Sequence, residues 1–171
     1  MTTWIVDTSP LIFLAKLGHL DLLRRSADAV CVPRAVLDEV HAKPDEATHA
    51  IEQAGRSWLA VRRVDNRDAV DILQAALDLG EAKVIVLARE THADKVVMDD
   101  LDARRFARRV GLDLIGTMGL LLAAHLRGEM SSVRKEIERL EALGFRAVPP
   151  LVEAILGEAS EQRPARRPIA T

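Results

Sequence analysis

The chain has little with which to build several common kinds of site. Its single cysteine, Cys31, cannot form an intramolecular disulfide and excludes a cysteine-based zinc centre. Cys31 lies in the apolar run Ala29–Val32 and reads as a small core residue. Tyrosine is absent and aromatic residues make up 3% of the chain, so Trp4 and Trp58 stand alone and offer no stacking platform for bases. No apolar stretch reaches the roughly 18 residues that a membrane-spanning helix needs. No basic segment precedes a long apolar run near residue 1, so no signal peptide is expected. The expectation is a cytoplasmic protein without a membrane span. Neither G-x-G-x-x-G nor G-x-x-x-x-G-K-[ST] occurs, which disfavours dinucleotide and P-loop nucleotide binding. His19, His41, His49, His92 and His125 are scattered, and none has zinc-ligand spacing beside a cysteine or acid. The formal net charge is −2, so any contact with a polyanion must come from local patches.

What is present is apolar and strongly patterned. The chain has 171 residues, 49% of them hydrophobic, with leucine, alanine and valine dominant. That length suits one domain with a sizeable core. Short apolar runs at Ile5–Val6, Ala29–Val32, Asp94–Met98 and Leu112–Ile115 read as buried strands, Trp58–Val64 as an edge strand or extended loop, and Phe145–Val148 as an edge strand. Between them lie helical patterns: Pro10–Leu17, His19–Ser26, Arg34–His41, Asp45–Ala54, Arg67–Leu79, Glu81–Glu90, Asp99–Val110, Thr117–Arg127, Val133–Leu143 and Pro149–Leu156. Alternating strands and helices imply an α/β fold whose mostly parallel sheet is covered on both faces. The expected domain is residues 1–157. Residues 158–171, with Gln162, Pro164 and Pro168, read as a disordered tail.

Four acids stand at junctions. Asp7 ends the first strand. Glu39 lies on the helix after the second. Glu81 opens a helix behind Gly80. Asp99 follows the strand ending at Met98, with Asp100 and Asp102 just behind. In a parallel α/β sheet the carboxyl ends of strands share one edge with the N-termini of the following helices, so Asp7, Glu81 and Asp99 can converge. Convergent carboxylates repel one another unless a cation neutralises them, and an all-oxygen set suits Mg²⁺ or Mn²⁺. Taken singly, each acid has a plainer reading. Asp7 or Ser9 can cap a helix, Glu81 and Asp99 suit helix N-termini by the macrodipole, and Glu39 suits a solvated face beside Asp38. Arg104, Arg105, Arg108 and Arg109 form i,i+4 pairs on one helix. They read as a basic ridge for phosphate or for a partner protein, or as simple complementation of the helix dipole.

The strings VDTSPLIFLAKLGHLDLL, VPRAVLDEV, LGEAKVIVLA, VVMDDLDARRFA and IGTMGLLLAA occur in this order. They resemble the PIN-domain ribonucleases, specifically a branch of small prokaryotic proteins of toxin–antitoxin type, over Ile5 to Leu156. The resemblance implies a Rossmann-type three-layer sandwich with a Mg²⁺ or Mn²⁺ site at the carboxyl edge of its sheet. It implies metal-dependent hydrolysis of single-stranded RNA, restraint by a cognate antitoxin, and a homodimer. Position by position, Asp7, Glu39, Glu81 and Asp99 match the family's catalytic acids. Asp7, Glu81, Asp99 and Asp100 are the metal-ligand candidates. Ser9 and Thr117 match hydroxyls near the site, and Arg104 and Arg105 are candidates for contact with RNA. The more usual Thr-x-Asp is absent around the fourth acid, which leaves open whether Asp99 or Asp100 faces the metal.

Two other classes compete. A noncatalytic PIN-like module would bind RNA or a partner, but it has no need of four acids at strand–helix junctions. A phosphatase would want a second aspartate two residues after Asp7, where Ser9 stands. A receiver domain would want a lysine after a late strand, and Leu112–Gly119 has none.

Overall fold

The computed structural model describes residues 1–161, and the expected tail falls mostly outside them. The chain divides into two compact units, one spanning Met1–Thr117 and one beginning at Met118. The first holds the sheet. Its elements are β1 (Thr3–Val6), α1 (Thr8–Leu17), α2 (Asp21–Ser26), β2 (Ala29–Pro33), α3 (Arg34–Ala42), α4 (Glu46–Gly55), β3 (Leu59–Arg62), α5 (Arg67–Leu73), α6 (Leu79–Glu90), β4 (Lys95–Val97), α7 (Leu101–Arg109) and β5 (Leu114–Ile115).

All five strands are parallel, in the order β3-β2-β1-β4-β5. Ile5 stands opposite Cys31 on one side and Val96 on the other. The continuous apolar runs are explained by this central placement: Ile5, Val6, Val32, Val96 and Val97 are fully buried, as strands covered on both faces require. Each such side chain contributes roughly 1.5–3 kcal/mol through removal from water. Met98 lies past the end of β4, yet its amide still donates to the Ile115 carbonyl at 3.0 Å.

The connections fix where a ligand site can form. From β1 the chain winds outward through β2 to β3, then returns to the other side of β1 for β4 and β5. The reversal lies between β1 and β4, and the crevice beyond their carboxyl ends is the topological switch point. There the Asp7 amide donates to the Val97 carbonyl at 2.9 Å, tying the end of β1 to the end of β4.

Helix starts agree with the pattern to within two residues, and the large difference lies at a helix end before Gly80. The pattern predicts one helix from Arg67 to Leu79, but α5 stops at Leu73 and α6 begins at Leu79. The cause is Asp78, whose side chain caps α6 and makes Gly80 an interior residue of it.

The second unit contains α8 (Thr117–Leu126) beyond its first residue, α9 (Val133–Ala142) and α10 (Pro149–Glu158). The expected edge strand at Phe145–Val148 does not form. Gly144, at φ 96°, reverses the chain after α9, and no strand among the described residues offers this segment a ladder. Glu161 is held firmly. Its carboxylate accepts from the Ser132 hydroxyl at 2.7 Å and the Val133 and Arg134 amides at 2.8 and 3.2 Å, supplying acceptors to the start of α9.

Candidate functional site

Asp7 is the buried member of an acidic group at the switch point. It follows β1 as the residue before α1, with an extended backbone, and its side chain makes none of the usual capping bonds to that helix. The plainer reading of Asp7 as a helix cap therefore does not apply. It is 6% exposed. Burial first, offset in part by the Thr8 amide, and then the charges of Glu81, Asp78 and Glu39 push its carboxyl up to about 7.

Glu39 comes from the middle of α3. Its side chain reaches solvent, but its carboxylate occupies the space that a Cβ on Gly80 would need. Partial burial raises its pKa, the Thr8 hydroxyl lowers it, and Asp78 raises it further. That hydroxyl faces Glu39 without meeting it in hydrogen-bond geometry, and Thr8 Oγ1 is a buried polar atom with no partner among the described residues.

Glu81 and Asp78 are locked together at the start of α6. Asp78 Oδ1 accepts from the Glu81 amide at 2.8 Å, and Glu81 Oε2 accepts from the Asp78 amide at 3.1 Å. This reciprocal capping box orients Glu81 while leaving its other oxygen outside the box. Burial raises the Glu81 pKa, the Asp78 amide lowers it, and the charges of Asp78, Asp100 and Glu39 raise it. Asp100 caps α7, accepting from the Ala103 amide at 2.9 Å, and its side chain is exposed.

Asp99 is turned elsewhere. Its Oδ1 accepts from the Thr117 amide at 2.7 Å and its Oδ2 from the Thr117 hydroxyl at 2.6 Å. Burial raises its pKa, the two Thr117 bonds lower it, and the charge that acts on it is Arg104. Arg104 is half-buried and donates to the Met98 carbonyl at 2.7 Å. A Cβ on Gly116 would stand 3.0 Å from both the Arg104 guanidinium and Asp99 Oδ1, so glycine there lets the two pack against the backbone.

The structure thus brings Asp7, Glu39 and Glu81 into electrostatic range of one another with Asp78 among them, puts Asp100 within range of Glu81, and sets Asp99 with Thr117 and Arg104. Asp78 carries a signal that sequence reasoning overlooked: Asp-x-x-Glu before an apolar run is a capping box. Ser9 is half-buried in the first turn of α1. The expected arginine ridge is split, because Arg104 faces inward, Arg105 pairs with Asp102 at 3.1 Å, and Arg108 and Arg109 reach solvent.

Among the described residues, no three His, Cys, Asp or Glu side chains close into a ready-made metal cage. The donor chemistry nevertheless fits a hard divalent cation. The donors are all oxygen, the buried carboxyl is destabilised as an anion by its neighbours, and an orphaned hydroxyl and a side-chain-free Gly80 border them. Such an arrangement gains from any cation that neutralises it.

Among the described residues, no helix is long and apolar enough to cross a membrane. A search of curated proteins finds no match to the chain. The family profile described as "PIN domain" matches residues 3–161, from the first residue of β1 to the carboxylate that holds α9. PIN domains are generally nucleases and typically use divalent metal ions. With the parallel sheet and the acids at its switch point, that match over nearly the whole chain places the protein in the PIN-domain family.

Proposed function

We propose that the chain is a divalent-metal-dependent endoribonuclease that hydrolyses phosphodiester bonds of single-stranded RNA. The observation that carries this reading is the buried Asp7 carboxyl, raised to about 7 among Glu81, Asp78 and Glu39 at the switch point of a PIN-family sheet. Asp7, Glu81 and Asp100 would hold Mg²⁺ or Mn²⁺, with Glu39 alongside and Asp99 held in reserve by Thr117. When bound, the ion supplies water made acidic enough to attack at neutral pH and offsets charge developing on the phosphodiester. The chain's own part is to orient and exclude. The capping box fixes Glu81, and the Thr8 hydroxyl is placed to turn toward an incoming oxygen ligand. Ser9, half-buried in the first turn of α1 two residues after Asp7, is the hydroxyl that the resemblance puts beside the substrate. Arg105, together with Arg108, is placed to meet phosphates on the β4 side, while Arg104 positions Asp99.

The resemblance to toxin–antitoxin nucleases supports two further parts of the reading. A cognate antitoxin restrains the enzyme by presenting an arginine or lysine to the acids, since phosphate contacts alone carry little base information and leave cleavage indiscriminate. The protein works as a homodimer in the cytoplasm. A noncatalytic PIN-like module is the competing reading.

The deciding experiment is RNA cleavage by the purified chain and its Asp7→Asn variant with and without Mn²⁺. Cleavage that requires both Mn²⁺ and Asp7 is expected. Intact RNA under all conditions would leave the binding module as the better account. Light scattering at micromolar concentration tests the dimer, and a monomer would remove it.

A further inference from the structure

A cavity of about 630 Å³ lies on the other side of the acids from the arginine helix α7. It opens where β2 and β3 end, between α5 and the start of α6. Five cationic residues line it, Arg34, Arg62, Arg63, Arg67 and Lys83, against one acid, Asp71. In a chain of net charge −2 this is a marked local excess. Two of the five are partly neutralised at the surface: Arg34 stands 3.3 Å from Asp38 and Arg63 3.8 Å from Asp65. Arg62, Arg67 and Lys83 make no ion pair among the described residues.

Part of the lining is apolar and open to solvent. Val61 is 40% and Leu79 43% exposed, two of the few large hydrophobic side chains left to solvent, and both line this cavity. Cations beside exposed apolar side chains match a nucleotide chain, whose phosphates are anionic and whose bases present apolar faces.

The position matters as much as the composition. Leu79 is the residue between Asp78 and Gly80, so the cavity adjoins the acids along α6. Arg62 pairs in register with Pro33 at the end of β2. Two strand spacings separate β3 from β1, about 10 Å at the usual separation of neighbouring strands. A strand of nucleic acid lying over Asp7 therefore reaches Arg62 within a few nucleotides.

We propose that this cleft binds the backbone of single-stranded RNA flanking the scissile phosphate, with Arg62, Arg67 and Lys83 as its phosphate contacts and Val61 and Leu79 beneath a base. The inference rests on the nuclease reading for its choice of polyanion. It extends the substrate track from the acids to the β3 side, opposite α7.

The test is binding without cleavage. A short fluorescein-labelled single-stranded RNA is titrated with the full chain in EDTA, and anisotropy is read at several salt concentrations. Changing Arg62, Arg67 and Lys83 together to alanine should weaken binding roughly tenfold and reduce the salt slope by about 2, as loss of three single-strand phosphate contacts requires. Changing three exposed cations elsewhere, Arg24, Lys43 and Arg56, removes the same charge and should leave both quantities near those of the parent. Circular dichroism melts confirm that each variant folds, and Arg67→Glu alone gives a second, milder variant expected to weaken binding in the same direction. Equal losses in the two triple variants would reduce the effect to net charge and overturn the proposal. So would unchanged RNA binding in the cleft variant, including the case in which a polyglutamate peptide loses affinity instead and marks a protein-docking surface. The nuclease reading fails separately, if cleavage in Mn²⁺ does not depend on Asp7 while the cleft still binds RNA in EDTA.

Discussion

Thr117 holds both oxygens of Asp99, its amide at 2.7 Å and its hydroxyl at 2.6 Å. Thr117 is fully buried, so water cannot replace either donor. Thr117→Val keeps the shape and removes the hydroxyl. It should destabilise the fold by about 1–3 kcal/mol, the range for leaving a buried acceptor short of a partner. Thr117→Ser should recover most of that. Urea unfolding of the three proteins measures it, and equal stability of the valine variant would show that the hydroxyl bond contributes nothing.

Asp7 makes stability depend on pH in a defined direction. Its carboxyl is raised from 3.8 to about 7 in the folded chain, so between these values the folded state binds the extra proton. Stability from this group is therefore fully present below about pH 4 and is lost as pH rises through 7. Asp7→Asn removes that loss and should stabilise the metal-free protein at pH 8 by roughly 2 kcal/mol. Mn²⁺ should narrow the difference, because only the parent gains a neutralising ligand. Thermal melts at pH 5 and 8, with and without Mn²⁺, test this. A variant that melts lower than the parent at pH 8 without metal would contradict the account.

The sheet was legible because its strands are buried on both faces. Ile5–Val6, Ala29–Val32 and Val96–Val97 carry no polar residue that would blur the pattern. The acids' junction placement was legible for the same reason, since each follows or faces a clear strand or helix end. What the sequence hid is direction. Asp99 and Asp100 are adjacent, yet one side chain turns to Thr117 and the other caps α7 beside Glu81, a choice set by the distant Gly116–Thr117 segment. Asp78 was hidden because Gly80 looks like a helix break when it is an interior residue. Of the cleft cations, Arg62, Arg63 and Arg67 are near neighbours in sequence, but Arg34 and Lys83 come from α3 and α6, and only the fold brings all five to one cleft.

Gly80 and Glu39 should behave as a coupled pair. Alanine at an ordinary helix position is favoured over glycine by about 1 kcal/mol. Here the added Cβ would take the place of the Glu39 carboxylate, which must move away. Gly80→Ala should therefore bring no stabilisation in the parent but about 1 kcal/mol once Glu39→Ala is present. A double-mutant cycle by chemical denaturation reads the coupling, and strict additivity would show that Glu39 does not occupy that space in solution.

Glu161 ties the last described turn to α9. Burial works against its charge, but the Ser132 hydroxyl and the Val133 and Arg134 amides hold its pKa below the usual carboxylate range. The stability it contributes is present above the unfolded glutamate pKa and is lost as pH falls through the lower folded value. Glu161→Ala should cost about 1–3 kcal/mol at pH 7, and less as the buffer is taken to pH 3. We propose that the folded region extends to this residue rather than to 157. A chain ended after Gly157 should lose at least as much stability as the alanine variant, and a chain ended after Glu161 should lose none.

Asp99 and Asp100 give the sharpest test of which acid serves a metal. Asparagine caps a helix as well as aspartate, so Asp100→Asn should leave stability within about 0.5 kcal/mol. It removes a charge that faces Glu81, so Mn²⁺ affinity should fall roughly tenfold, as loss of one anionic oxygen ligand predicts. Asp99→Asn should do the reverse. Its new amide must face either the Thr117 amide or its hydroxyl, so one buried hydrogen bond is lost or turned and stability drops by about 1–3 kcal/mol. Its Mn²⁺ affinity should change little, because both oxygens are already engaged by Thr117. Calorimetric Mn²⁺ titration and urea unfolding on both variants separate the two roles. A larger loss of Mn²⁺ affinity in Asp99→Asn than in Asp100→Asn would mean that Thr117 releases Asp99 to the metal, and the assignment would pass from Asp100 to Asp99.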